Sequence, residues 1–151
     1  MITNSPEPFH LLTKYLPRIN KGLALDIGAG GGGNSIFLVA NGFKVEAIDI
    51  NTGAIKQLSD LAFVNNLDIQ TRVMDMREFE LDTEKYDLIL AIQSLVFLGK
   101  SEFRKMISSI ETSLKESSVV IVSSLTYCGF TGTIPYLREK WVLRLNRNVP
   151  F

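Results

Sequence analysis

A chain of 151 residues with sixteen basic and sixteen acidic side chains suits one domain with a real core, and its balanced charge argues against a nucleic-acid partner. Charged residues make up only 21% of a rather apolar chain, which excludes disorder by composition. Cys128 stands alone and cannot form an internal disulfide, and no secretory or membrane-length apolar run is visible, so no membrane association and a cytoplasmic location are expected.

The first element expected is a short helix opened by Ser5-Pro6-Glu7-Pro8 and closed at Pro17, because proline disfavours helix at the residue before it. Residues 1–20 would form a lid over a ligand mouth. His10, the only histidine, could accept a proton or simply lie half exposed on that helix; nothing nearby in sequence supplies the partner that orients a base.

Residues 22–50, GLALDIGAGGGGNSIFLVANGFKVEAIDI, carry the densest signal. An apolar run of strand length is followed by five glycines in six residues, then by an apolar block ended at Asn41-Gly42. A second strand follows, with Asp49 near its end, 21 residues after Gly28. Strand, tight turn, helix and strand make the βαβ unit of a nucleotide-binding half-fold. Glycines admit positive φ and let a ligand approach the main chain with no Cβ in the way, while N–H groups at the helix start face it. A carboxylate ending the second strand can accept hydrogen bonds from both ribose hydroxyls.

Downstream, Asn51 or Thr52 caps a helix with Ile55, Leu58 and Ala62 on one face, and Asn65-Asn66 ends it. Residues 69–74 alternate as a half-buried strand and bring Asp75 to the same rim as Asp49. A single aspartate there would be read as a strand-end cap bonding nearby N–H groups; Asp26, Asp49 and Asp75 at successive strand ends point to a ligand. Residues 76–84 form a polar connection in which Arg77 is either an anion contact or a solvated side chain. DLILAI, from Asp87, is a central strand buried on both faces, with Gln93 and Ser94 following it.

Ser101 then suits a helix cap, and Phe103, Met106, Ile107, Ile110 and Leu114 form a core stripe. Residues 119–122 read as a fifth strand. Only 26 residues remain after Leu125. The tail, residues 126–151, is expected to be irregular and then helical, with Ile134, Leu137, Trp141 and Leu145 on one side. Its bases Arg138, Lys140, Arg144 and Arg147 face one acid, Glu139; docking on its own sheet or homodimerisation, through the tail or an open sheet edge, is expected ahead of nucleic-acid binding.

The glycine loop satisfies two patterns. Gly28-x-Gly30-x-x-Gly33 fits the dinucleotide fingerprint, and Asp26-x-Gly28-x-Gly30-x-Gly32 fits S-adenosylmethionine-dependent methyltransferases. Asp26 separates them, because an acid at the tip of the first strand needs a partner such as a ligand ammonium or loop N–H groups. The segments LDIGAGGGGNSIFLVANGF, VEAIDI, TRVMDMREFE, YDLILAIQSLVFL and SVVIVSSL together resemble a class I methyltransferase. They are most similar to the small bacterial methyltransferases of the tellurite-resistance type, over about two thirds of the chain.

That resemblance implies an α/β, Rossmann-like, doubly wound and mainly parallel sheet of strand order 3-2-1-4-5, in a single domain spanning residues 1–151. It implies S-adenosyl-L-methionine as cofactor, a small-molecule methyl acceptor and no metal. Asp26 and the turn bearing Ile27, Gly28, Ala29, Gly30, Gly32 and Asn34 would hold the amino-acid end of the cofactor. Asp49 and Ile50 would serve the ribose, Asp75 and Met76 the adenine, and Ala91, Ile92 and Gln93 the region near the sulfonium.

Three departures accompany the resemblance: Val96 stands where many relatives carry histidine, Lys115-Glu116-Ser117-Ser118 replaces a Pro-Gly-Gly turn, and the C-terminus is too short for the usual last strands. Methyl transfer from a sulfonium is an in-line displacement in which positioning dominates, so a general base is optional and no catalytic residue is assigned. Two other readings stay open: a cofactor-binding remnant without turnover, and a nicotinamide-binding oxidoreductase domain.

Overall fold

Five apolar runs become parallel strands in the computed structural model, which describes residues 10–123 and 140–141: β1 (Leu23–Ile27), β2 (Lys44–Asp49), β3 (Ile69–Val73), β4 (Tyr86–Ile92) and β5 (Leu114–Ser123). Helix α1 (His10–Tyr15) precedes them, and α2 (Gly33–Ala40), α3 (Thr52–Val64) and α4 (Lys100–Ser113) form the connections after β1, β2 and β4. The parallel strands lie in the order β3-β2-β1-β4-β5, as the sequence led us to expect, and a sixth strand, β6 (Lys140–Trp141), extends the sheet beyond β5.

Strand residues alternate between two cores, as the two-residue period of a pleated sheet requires. Ala24, Val45, Leu88, Leu90 and Ile121 face one side, where Ile36 and Leu38 of α2 and Leu58 of α3 cover them. Leu25, Ile27, Ile89, Ala91 and Val120 face the other, beneath Met106 and Ile110 of α4. Being buried on both faces explains why β4 reads as a continuous apolar run.

Local chemistry sets the helix limits. The Asn51 side chain accepts from the Ala54 N–H at 3.0 Å and caps α3, as its sequence suggested. Ser101 does not cap α4: the helix starts at Lys100, and the Glu102 carboxylate reaches back to the Gly99 N–H at 2.7 Å. In place of a Pro-Gly-Gly turn, α4 runs directly into β5. Four residues bulge out there, so that Tyr86 pairs with Leu114 but Leu88 with Val119.

One expectation for the chain ends changes. At the N-terminus, Leu12, Leu16 and Ile19 are buried in the α2–α3 core, and residues 1–9 of the expected lid fall outside the described range. Trp141, expected on a helix, is extended and pairs antiparallel with Val122. Unpaired N–H and C=O groups along β5 favour such pairing, so part of the edge expected to be open is occupied. The rest of the tail helix falls outside the described residues.

Candidate functional site

Strand order reverses between β1 and β4, and ligands bind outside the carboxyl ends of strands at such a switch point. A cavity of ≈ 200 Å³ opens at that place. Residues following β2 and β3 form one wall, including Asp49, Ile50, Asp75, Met76 and Arg77. Gly28 lies at the turn after β1, and Gln93, Ser94, Phe97 and Leu98 form the wall after β4.

The glycine turn is stapled to β2. The N–H groups of Gly28 and Ala29 donate to the Ile48 carbonyl at 2.8 and 3.0 Å, and that of Gly30 donates to Asp49 Oδ2 at 2.8 Å. These three N–H groups, which precede the helix start, therefore find partners within the chain and fix the shape of the turn. At Gly28 φ is +76°, and a Cβ would lie 2.4 Å from that of Ser94, so glycine is required by backbone and space together. At Gly30 φ is +52°, yet nothing lies within 4 Å of where a Cβ would stand. That open space above bare backbone is a cradle for a ligand.

The three aspartates have separate environments. Asp49 accepts from Gly30 N–H and, at 2.8 Å, from Asn51 N–H, leaving lone pairs on both oxygens for further donors. Asp75 accepts from the Arg77 N–H and Nε at 2.9 Å and from Nη2, and these bonds hold its carboxyl down at about 2. Each thus also caps its own strand end through the N–H two residues on. Asp26, 1% exposed on the α2 side of β1, accepts from Ser35 Oγ at 2.7 Å. Burial pushes its carboxyl up to about 6, the Ser35 bond opposes this, and the charge of Asp49 adds to it.

Six of the expected site residues line the cavity, Gly28, Asp49, Ile50, Asp75, Met76 and Gln93, and Gly30 is tied to it through its bond to Asp49. The others support it from outside. Ile27 and Ala91 are fully buried in the α4-side core, while Ala29 and Ile92 pack against the opposite core. Gly32 fits against Leu58, and Asn34 is half-buried in the first turn of α2. Asp26 is sealed in, near enough to Asp49 to feel its charge.

Ser94, expected with Gln93 to face the transferred methyl, lines the cavity, and Met74, Phe97 and Leu98 do so without having been assigned a contact from sequence. After β4 the chain turns at Gln93, φ +55°, and Leu95–Phe97 form a short 3-10 helix with Leu95 buried and Phe97 81% exposed. An acid without a cation at Asp26, a bare cradle at Gly30, acceptor oxygens on Asp49 and a buried Ser94 hydroxyl without a partner together fit an adenosyl ligand bearing an ammonium group.

The sequence matches the family described as tellurite resistance protein TehB over residues 13–139. It is 32% identical over 96 residues to a probable S-adenosyl-L-methionine-dependent methyltransferase TehB of Haemophilus influenzae, covering 64% of this chain and 32% of that protein. It is 28% identical over 120 residues to a ubiquinone biosynthesis O-methyltransferase of Rickettsia akari, covering 77% of this chain and 47% of the other. The crystal structure of TehB from Haemophilus influenzae superposes with a TM-score of 0.73 at 22% identity, over 85% of this chain and 45% of that one, which bears on the fold alone. The chain spans about a third to a half of the length of the curated relatives it matches.

Proposed function

Because this chain belongs to the TehB family of tellurite resistance proteins, we propose that it is an S-adenosylmethionine-dependent methyltransferase acting on a small-molecule acceptor by in-line transfer. One observation carries the reading: Asp49 joins the glycine turn to a cavity that Asp75 and Met76 also line. Asp49 would accept from the ribose hydroxyls, and Asp75 with Met76 would bound the adenine. Asp26, sealed at the end of β1, would balance the ammonium by its charge. The cofactor, when bound, supplies a methyl group on a good leaving group. What this chain must then add is alignment of an acceptor over that methyl and exclusion of water.

Calorimetric titration with S-adenosylhomocysteine and with NAD tests the reading. Binding of S-adenosylhomocysteine alone is expected; preference for NAD would move the chain to the nicotinamide-binding class. Methyl transfer from labelled donor to a panel of thiol and oxyanion acceptors separates an enzyme from a binding remnant, which would hold the cofactor without turnover.

A further inference from the structure

Residues that follow β3 and residues that follow β4 both line the cavity, and a path of polar contacts joins the two segments. Arg77, in the first segment, folds back on Asp75: its Nε donates to Oδ1 and Oδ2 at 2.9 and 3.0 Å, and its Nη2 donates to Oδ2. This fork fixes the guanidinium plane and leaves Nη1 over, and that nitrogen lies 3.9 Å from Glu102 Oε1. The other oxygen of Glu102, Oε2, accepts from the Gly99 N–H at 2.7 Å. Gly99 directly follows Leu98, which lines the cavity in the second segment.

The links of this path differ in strength. The fork and the Gly99 bond have hydrogen-bond lengths, whereas 3.9 Å is beyond hydrogen-bond reach and leaves only attraction between opposite charges. The two side chains are 52% and 43% exposed, so water and salt weaken that attraction further. Separation of the two segments would therefore break the Arg77–Glu102 link first. The pair needs no ligand to form, because all its atoms belong to this chain.

We propose that Arg77 and Glu102 form a strap between the two segments, which slows both entry and departure of the adenosyl ligand without adding to its affinity. The identity of that ligand rests on the methyltransferase reading; the strap rests on the contacts within the chain. An interaction made equally in the free and the bound chain cannot shift the binding equilibrium. It raises only the cost of the opening through which ligand passes in either direction. Arg77 lines the cavity and can touch a ligand, but Glu102 is not among the lining residues, so a change at Glu102 reads the strap alone.

Glu102→Gln removes the charge and keeps an acceptor for the Gly99 N–H, since either residue can serve at this helix position. Rapid filtration of the full chain with radiolabelled S-adenosylhomocysteine gives both rates. At about 0.1 M NaCl, entry and release should each be about two- to fivefold faster in the variant, the scale of an exposed ion pair, with affinity unchanged. At about 1 M NaCl, where the Debye length is about 3 Å, the two proteins should exchange ligand at the same rate. Equal rates at low salt would overturn the strap. So would a difference that persists at high salt, or faster release with entry unchanged, which would lower the affinity and make Glu102 part of the binding site. Amide hydrogen exchange of the ligand-free chain reads the opening separately. Residues 97–99 should exchange faster in Glu102→Gln by a similar factor at low salt, and equal exchange would also overturn the proposal. If S-adenosylhomocysteine does not bind while that difference in exchange is present, the methyltransferase reading fails and the strap stands.

Discussion

At Asp49 a single carboxylate holds the glycine turn through Gly30, caps its own strand through Asn51 and still faces the cavity. Asp49→Ala should therefore weaken S-adenosylhomocysteine binding by at least ~1 kcal/mol, the scale of a charge-assisted hydrogen bond. Calorimetry measures this directly, and an unchanged affinity would remove Asp49 from the site. Asp26 behaves differently because it is sealed. Its carboxyl titrates at about 6 in the folded chain against 3.8 ordinarily, so the native state holds the proton more tightly than the unfolded state does. The stabilisation is complete below about pH 4 and is lost as pH rises through about 6. Above that, the buried charge costs on the order of 2–3 kcal/mol. Asp26→Asn, which keeps an acceptor for Ser35, should raise the melting temperature at pH 8 and lose that advantage by pH 4. Binding of an ammonium-bearing ligand should weaken in the unmodified protein as pH falls through 6, and titrations at pH 5 and 8 check it. Position along the strands made all three aspartates legible in the sequence. Which of them would be sealed depends on the helix that packs over each, and Ser35 gave no signal of that.

Among the elements, the β1–α2 turn separates two demands on glycine that its sequence merges. Gly28→Ala would combine left-handed strain with a Cβ 2.4 Å from that of Ser94, so a loss of roughly 2 kcal/mol or more in thermal unfolding is expected. Gly30→Ala meets open space and bears only the backbone cost of about 1 kcal/mol, but its methyl would stand in the cradle. Its S-adenosylhomocysteine affinity should fall by more than its stability does; equal effects on both would show that the cradle is not where the ligand sits. Strands β1 to β5, α3 and its Asn51 cap could be read from apolar period and turn residues alone. The start of α4 could not, because Glu102 satisfies the Gly99 N–H and makes Ser101 unnecessary. The bulge into β5 was hidden too, since Ser117 takes φ +65° without a glycine to announce it.

Across the whole molecule, the order β3-β2-β1-β4-β5 brings residues some 70 positions apart in sequence, Gly28 and Phe97 among them, to one cavity. The strand order was legible through the family resemblance carried by the glycine loop and the acids that follow the strands. Wall composition was not, because the turn at Gln93 and the short helix Leu95–Phe97 decide which of these apolar residues is buried and which is exposed. Pairing of Lys140–Trp141 with β5 was equally invisible, as nothing local in a basic, aromatic segment chooses an edge strand over a helix. That pairing covers part of the edge through which a second subunit could add, so association by edge strands has less to recommend it than the sequence suggested. Everything at this scale depends on the cavity at the switch point being the adenosyl site. A crystal structure of the complex with S-adenosylhomocysteine measures that most directly. The account predicts ribose hydroxyls on Asp49, adenine beside Asp75 and Met76, and the amino-acid end over Gly30 near Asp26; a ligand seated elsewhere, or one that leaves Asp49 untouched, would contradict it.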